Sequence, residues 1–372
     1  MRRLIYDARA VSLEYTGLGR YTAFLLFALL DELDVAASKT DVLLYDKIIS
    51  SNNIHYLKLK DFETKGLCEL HFIKSPAVSV QQHYKVHQYV NSFDASDYFY
   101  THFDMPWGIK HNKTFVVHDL FPLILNDYIR RFAFFKKIYF KIQLMHSIRQ
   151  AERIIAVSKT TARDIVKCMG NKYSDKIIIA PEGPTIIAAN KLNNDTSKVR
   201  SFEKYLLYVG DRRPHKNLFR VIKIYQLLVS KYGYNGQFFL VGAENEYVPG
   251  LNNYIKETKG VVSLGNLSDE DVASMYRSAD ALMFLSQYEG FGLPVIEAAT
   301  IGCKIIVSDG GALAEIAPNS ACIIRNAMSI EDAADAINKY IKNGKVYYDN
   351  SYLNHYSWTN AARLIFPKFC KK

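Results

Sequence analysis

The stretch Tyr288–Ala299, YEGFGLPVIEAA, follows the apolar run Ala281–Ser286, ALMFLS, which is typical of a buried strand. Gly290 and Gly292 allow the backbone to turn tightly and to approach a ligand. Pro294 lacks an amide proton and suits the first turn of a helix. A strand, a glycine-containing loop and a helix in this order predict an α/β sheet with a ligand at the carboxyl end of the strand.

Two glutamates accompany this loop. Glu289 precedes the predicted helix, and Glu297 lies about one turn inside it, since an α-helix has roughly 3.6 residues per turn. The amides around Phe291–Val295 would point outward from the positive end of the helix, which suits a diphosphate or sugar hydroxyls. The alternative is a capping loop plus one helix glutamate. Two glycines, a proline and two glutamates together favour a site in which the carboxylates contact opposite ends of one ligand.

Working outward, short apolar runs alternate with helical patterns along the whole chain, as in repeated βαβ units. The runs are mostly continuous rather than alternating, which predicts parallel strands covered on both faces. The predicted strands are Arg3–Asp7, Val42–Tyr45, Leu70–Ile73, Tyr98–His102, Thr114–His118, Arg153–Ser158, Ile177–Ala180, Tyr205–Gly210, Phe238–Gly242, Val261–Gly265, Ala281–Ser286, Lys304–Asp309 and Cys322–Arg325.

The chain of 372 residues is too long for one hydrophobic core, and 49% of it is apolar. The polar segment Ile187–Val199 predicts a linker between two Rossmann-like domains that face each other across a ligand cleft. We expect residues 1–190 to form the first of these domains and residues 191–355 the second.

The net charge of +10 predicts a partner with negative charge: a nucleotide, a nucleic acid or an anionic membrane. Nucleic acid is disfavoured, because we find no helix-turn-helix, zinc-finger or RNP pattern. The five cysteines are scattered, which argues against disulfides or a zinc site and favours a reducing cytoplasm. The start MRRLIYDARA does not resemble a signal peptide, and the longest apolar stretch, Ala23–Leu30, is too short to span a bilayer. Any membrane contact is therefore expected to be peripheral, on the inner face of the cytoplasmic membrane.

Several motifs together resemble glycosyltransferase family 4, which has the GT-B fold and an E-x7-E signature. They extend over nearly the whole chain and occur in the family's order. The motifs are Gly17–Tyr21 (GLGRY), Val117–Pro122 (VHDLFP), Arg153–Lys159 (RIIAVSK), Tyr208–Asn217 (YVGDRRPHKN), Leu264–Tyr276 (LGNLSDEDVASMY), Tyr288–Ala299 and Tyr356–Leu364 (YSWTNAARL).

The resemblance implies roles for the two glutamates and the loop. Glu289 would face the transferred sugar, and Glu297 would accept hydrogen bonds from the ribose hydroxyls of the nucleotide. A larger set of residues would bind the donor, many of them through the backbone. The implied donor-binding residues are Gly17, Gly19, Gly210, Arg213, Asn266, Leu267, Gly290, Phe291, Gly292, Leu293, Pro294, Val295 and Glu297.

The resemblance also implies catalytic roles for Lys216, which would neutralise the donor diphosphate, and for His118, which would touch the sugar or its phosphate. Asp211 stands where many members have arginine, so Arg212 or Arg213 would assist, and Arg212 is preferred. Cations suit this position because the leaving diphosphate gains charge in the transition state. The competing interpretation of Lys216 and the arginines is a solvated basic loop, and that of His118 is a structural histidine.

By this resemblance the chain is expected to be a retaining, metal-independent hexosyltransferase that needs no cofactor. GDP-mannose is the favoured donor and UDP-hexoses remain open. The acceptor would be a glycan or a polyprenyl-linked oligosaccharide in O-antigen or capsule synthesis. The alternatives are a GT-B epimerase or phosphorylase, which the E-x7-E pattern disfavours, and a catalytically silent sugar-nucleotide-binding subunit.

Two further segments carry predictions. Tyr128–Ala151 has six Lys or Arg and no acid, interleaved with aromatic residues. It is either a basic amphipathic helix that contacts anionic lipid or a core helix with a solvated basic face. Residues 356–372 are expected to form a helix that crosses back to the N-terminal domain.

Overall fold

The computed structural model describes residues 2–14, 16–33, 38–50, 52–125, 133–186, 204–344 and 346–370. It contains two units, one formed by Met1–Gly183 with Tyr356–Lys372 and the other by Pro184–His355. This division falls at Gly183–Pro184, somewhat before the predicted boundary at residue 190. The predicted linker Ile187–Val199 lies outside the described residues.

The first unit is built on a seven-stranded parallel sheet with the order β3-β2-β1-β4-β5-β6-β7. The register pairs Ile5 with Asp41 on one side and with Tyr98 on the other. Each strand coincides with an apolar run that the sequence predicts. The strands are β1 (Arg2–Asp7), β2 (Ser38–Tyr45), β3 (Glu69–Ile73), β4 (Asp97–Tyr100), β5 (Asn112–Val117), β6 (Arg153–Ala156) and β7 (Ile177–Ile179).

Helices connect these strands and cover the sheet. They are α1 (Gly17–Glu32), α2 (Ile54–Thr64), α3 (Gln82–Val90), α4 (Phe121–Ile124), α5 (Ala133–Gln150) and α6 (Lys159–Met169). The C-terminal helix α14 (Trp358–Ile365) belongs to the same unit and packs against α1. Its Trp358 ring lies 5.4 Å from the Tyr21 ring of α1, edge to face.

The second unit has a six-stranded parallel sheet with the order β10-β9-β8-β11-β12-β13. The strands are β8 (Tyr205–Val209), β9 (Gln237–Val241), β10 (Val261–Gly265), β11 (Ala281–Phe284), β12 (Ile305–Ser308) and β13 (Cys322–Ile324). The helices are α7 (Leu218–Tyr232), α8 (Leu251–Glu257), α9 (Asp269–Ser278), α10 (Leu293–Ile301), α11 (Leu313–Ile316), α12 (Ile330–Lys342) and α13 (Asn350–His355).

Both sheets are doubly wound, as the sequence predicts, because the strand order reverses once in each. The reversal lies between β1 and β4 in the first unit and between β8 and β11 in the second. In open α/β sheets of this kind, ligands bind outside the carboxyl ends of the strands at such a reversal. The loops after these strands are therefore the expected positions of ligand-binding and catalytic residues.

Other predictions concern single features. The five cysteines all lie in the described part of the chain and are free thiols, and Cys68, Cys303 and Cys370 are buried. None of the described helices combines the length and the hydropathy that a bilayer span requires. The predicted basic helix is present as α5 from Ala133, and its predicted start at Tyr128 lies outside the described residues.

Candidate active site

The sheet reversal of the second unit brings two loops together. The loop after β8 contains residues 210–217, and the loop after β11 contains residues 285–292. The amide of Gln287 donates to the His215 carbonyl at 2.7 Å, which ties the two loops to each other. Ala312 donates to the Glu289 carbonyl at 2.8 Å, and a Cβ on Gly311 would lie 2.2 Å from that oxygen. Close backbone packing therefore fixes the position of Glu289.

Lys216 and Glu289 form an ion pair across these loops. The Lys216 Nζ lies 2.6 Å from the Glu289 Oε1, and the two side chains are 14% and 13% exposed. The ammonium also lies 5.1 Å from the centre of the Phe284 ring. Asn217, in the left-handed conformation at φ 60°, begins α7 directly after the lysine. The cation and the carboxylate are thus held together at the carboxyl ends of the two central strands.

Glu297 is buried in α10, one turn into the helix. Its Oε1 accepts a hydrogen bond from the Thr185 hydroxyl at 2.6 Å, and its Oε2 accepts one from the Tyr276 hydroxyl at 3.3 Å. Gly292 precedes the helix at φ 122°, where a side chain would be strained. This geometry matches the predicted glycine turn before a helix. Thr185 and Tyr276 are partners that the sequence did not single out.

The two arginines after Gly210 have different surroundings. Arg212 is buried; its guanidinium donates to the Asn252 and Ser263 side chains and lies 3.3 Å from Glu244. Arg213 is 44% exposed and lies 3.0 Å from Asp211. The structure therefore holds Arg212 against α8 and β10, whereas Arg213 is the more accessible cation.

His215 is a buried residue of this site that sequence reasoning missed. Burial, and secondarily the Lys216 charge, lower the pKa of His215 to about 4. The imidazole is therefore neutral at physiological pH, and Lys216 supplies the positive charge at this position. Asn266 and Leu267, predicted to lie near the base, directly follow β10, and Asn266 is exposed.

His118, Gly17 and Gly19 lie in the first unit. The His118 Nε2 donates to the Thr101 carbonyl at 2.9 Å, and its Nδ1 lies 3.3 Å from the Glu182 Oε1. Gly19 donates its amide to the Thr16 hydroxyl at 3.0 Å, within the N-cap of α1, while Gly17 is exposed. Sequence reasoning missed Glu182, which stands in the short segment PEGP after β7 and has no periodic pattern around it.

Asp119, beside His118, caps the turn that follows, because its carboxylate accepts a hydrogen bond from the Phe121 amide at 3.2 Å.

One group of metal-ligating side chains occurs in the described part of the chain: Asp41, Glu69 and His71 on β2 and β3. Arg3 donates two hydrogen bonds to the Asp41 carboxylate, and the pKa of Asp41 falls to about 2 despite burial, owing to its bonds with Arg3 and His71. The guanidinium already balances this carboxylate, so the donor set does not favour a cation.

Residues 191–353 match the family model described as "Glycosyl transferases group 1". The chain is 27% identical to the O-antigen chain mannosyltransferase RfbU of Salmonella typhimurium over 71% of this chain and 70% of the relative. It is 23% identical to O-antigen chain mannosyltransferase B of Escherichia coli over 84% of each. The structure of sucrose-phosphate synthase from Thermosynechococcus elongatus matches with a TM-score of 0.68 at 14% identity, covering 100% of this chain and 95% of that one. Residues 191–353 therefore resemble the glycosyl transferases group 1 family, and the chain has two parallel-sheet α/β domains like those of its structural neighbours among the GT-B glycosyltransferases.

Proposed function

We propose that the chain is a retaining hexosyltransferase that uses a nucleotide diphosphate sugar, with GDP-mannose favoured. The acceptor is a glycan or a polyprenyl-linked oligosaccharide in bacterial O-antigen or capsule synthesis. The observation that carries this proposal is the Lys216–Glu289 pair at the sheet reversal of the family-matching domain. The relatives named as O-antigen mannosyltransferases support the choice of sugar and acceptor.

The proposed transfer step follows from the charges of Lys216 and Glu289. A diphosphate brought to the pair competes with Glu289 for the Lys216 ammonium, which stabilises the leaving group as its charge grows. The released carboxylate accepts hydrogen bonds from hydroxyls of the sugar. The acceptor hydroxyl attacks the anomeric carbon on the face that the phosphate leaves, and the phosphate oxygen takes its proton. Configuration is thereby retained, with lysine, arginine and helix amides in place of a metal ion.

The donor base is open to a direct binding test. Thermal unfolding is measured with GDP, UDP, dTDP and ADP, and we expect GDP to stabilise the protein selectively. At about 100 times Kd the gain is about 2.7 kcal/mol, or roughly 5–10 °C for a domain of this size. Glu297→Gln should weaken binding about 10- to 100-fold, because hydrogen bonds from the ribose to a charged group are lost. Glu331→Gln, on the exposed face of α12, is the matched control.

The outcomes separate the alternatives. Selective stabilisation by UDP would replace mannose by a UDP-hexose as the donor. A nucleotide-dependent shift without sugar transfer would favour a catalytically silent sugar-nucleotide-binding subunit, and no shift with any nucleotide at millimolar concentration would contradict a nucleotide-sugar donor. Transfer assays with NMR of the product anomer test retention, and an unchanged rate in EDTA is expected of a metal-independent reaction.

We also propose peripheral contact with an anionic membrane through α5. Ile138, Tyr139 and Ile142 are 41%, 40% and 58% exposed on this helix. Lys141 and Arg149 line an open groove on the same helix together with Ile138 and Ile142. Apolar residues flanked by cations favour an anionic lipid surface over either a purely apolar or a purely ionic partner.

Charge reversal on this face should weaken membrane binding. We expect Lys137→Glu with Lys141→Glu to reduce binding to phosphatidylglycerol-containing vesicles by at least about 2 kcal/mol, roughly 30-fold, since each lysine contributes about 1 kcal/mol near such a surface. Co-sedimentation with the vesicles measures the fraction of protein that is bound. The control is Lys223→Glu with Lys231→Glu on α7, whose lysines are exposed. Equal losses in the two variants, or equal binding to neutral vesicles, would contradict a specific role for α5.

A further inference from the structure

The two hydrogen-bond contacts of the His118 ring restrict its protonation state. Its Nε2 lies 2.9 Å from the Thr101 carbonyl oxygen, which can only accept a hydrogen bond. Its Nδ1 lies 3.3 Å from a carboxylate oxygen of Glu182. A neutral imidazole has one N–H and cannot donate to both. The ring donates both hydrogen bonds only when the imidazole is protonated on both nitrogens.

Neighbouring residues hold the His118 ring in position against Glu182. Glu182 is buried, and Tyr21 closes one side of the imidazole with ring centres 4.5 Å apart and perpendicular planes. The Thr161 hydroxyl of α6 donates to the His118 carbonyl at 3.3 Å, which anchors the backbone. The ring therefore has little freedom to rotate away from Glu182.

The charged and titratable neighbours are Glu182, Asp119 and Tyr21. Burial, the largest single influence, acts to lower the pKa of His118, but hydrogen bonding and charge from Glu182, with smaller help from Thr101 and Asp119, raise it overall. Burial and the charge of Glu182 raise the pKa of Tyr21 well above its usual value, so the phenol is neutral. Protonated histidine is thus the form expected to persist above the usual pKa of about 6.5.

The Nδ1 contact is long for a charge-assisted hydrogen bond, which is usually about 2.7–2.9 Å. The His118 side chain is also 22% exposed, whereas Glu182 is 5% exposed. The Nδ1–H is therefore held only weakly by Glu182, on a side chain that is partly open to solvent after β5. A ligand oxyanion at the usual hydrogen-bond distance would accept from the Nδ1–H more strongly than the Glu182 oxygen does at 3.3 Å.

We propose that Glu182 is a positioning residue that keeps His118 doubly protonated and oriented, so that the Nδ1–H is offered to an anionic oxygen of a bound substrate. The inference rests on the proposed function, because it assigns His118 to the substrate. Glu182 itself need not touch the substrate.

The test replaces Glu182 by glutamine. The amide N–H of glutamine donates to an unprotonated Nδ1, so it favours the neutral ring. We expect the pKa of His118 in the ligand-free full chain to fall by about one unit or more, read from ¹⁵N shifts of the imidazole, with His118→Gln giving the assignment. The alkaline limb of the transfer rate should move to lower pH by the same amount, a tenfold loss per unit above the new pKa. The rate at low pH should change little.

Two further variants sharpen the outcome. Glu182→Asp retains the carboxylate and should restore most of the raised pKa. Asp119→Asn removes a neighbouring charge that raises the pKa of His118 less than Glu182 does, and it should change that pKa far less. An unchanged pKa in Glu182→Gln overturns the inference, whatever the activity. If the pKa falls while the pH profile of a measurable transferase stays fixed, Glu182 sets the protonation of a histidine outside the reaction, and the inference fails while the proposed function stands. If no nucleotide sugar is used by the wild type, the proposed function fails, and the inference fails with it.

Discussion

Replacing Lys216 by alanine should lower kcat for sugar transfer by about 10²–10³ while the protein stays folded. Removing one preorganised group that stabilises developing charge typically costs this much. Lys216 is suited to that task because its ammonium is mostly buried and lies at the carboxyl end of β8, where a diphosphate would replace the Glu289 carboxylate. Initial rates with saturating donor, together with circular dichroism, measure the effect.

The matched control for Lys216→Ala is Lys223→Ala on the exposed face of α7, which should leave kcat unchanged. Glu289→Ala should also lower transfer strongly in a folded protein. Because the two side chains contact each other, the double variant should lose much less than the product of the two single losses. A rate within about twofold of wild type for Lys216→Ala would remove the lysine from the mechanism.

The strands were predictable from sequence because each is a continuous apolar run. Even the short runs Ile177–Ala180 and Cys322–Arg325 coincide with β7 and β13. What those runs did not specify is the order of the strands, since pairing between β1 and β4 joins residues far apart in the chain. Parallel doubly wound sheets followed from the βαβ pattern, and the observed order of the second sheet places its reversal beside the Lys216–Glu289 pair.

The site was predictable where chemistry concentrates in one short motif. Glu289, Gly292 and Glu297 occupy a loop and helix start that the sequence already indicated. The surroundings of Arg212 could not be deduced, because its partners Asn252 and Ser263 come from distant elements. Glu182 was missed for the same reason, since only the fold brings it to His118.

Asp7→Ala is the substitution for which we expect the largest loss of stability. Arg9 and Asp7 are both fully buried and form a two-point ion pair, with nitrogen–oxygen distances of 2.8 and 2.9 Å. Arg9 also donates to the Ser75 and Pro76 carbonyls, both at 3.1 Å, and so connects the end of β1 to the segment before α3. Burial alone would lower the pKa of Arg9, but Asp7 raises it, so the guanidinium stays charged.

Removing Asp7 leaves that charge buried without its counter-ion and deprives the Tyr98 hydroxyl of its acceptor. The expected loss is roughly 3–5 kcal/mol in the free energy of unfolding of the first unit. Urea denaturation followed by tryptophan fluorescence reports on this unit specifically, because the two tryptophans of the chain, Trp107 and Trp358, both belong to it.

Two further variants decide whether the loss comes from the unpaired charge. Asp61→Ala removes an exposed helical ion pair with Lys65 and should change stability by at most a few tenths of a kcal/mol. Asp7→Ala combined with Arg9→Met removes both charges, and stability should largely recover, since replacing a buried pair by apolar groups is often nearly neutral. If the single variant lost less than about 1 kcal/mol, or the double variant lost more than the single one, the buried guanidinium would not be the source of the instability. In that case the carbonyl contacts of Arg9, rather than its charge balance with Asp7, would hold the end of β1 in place.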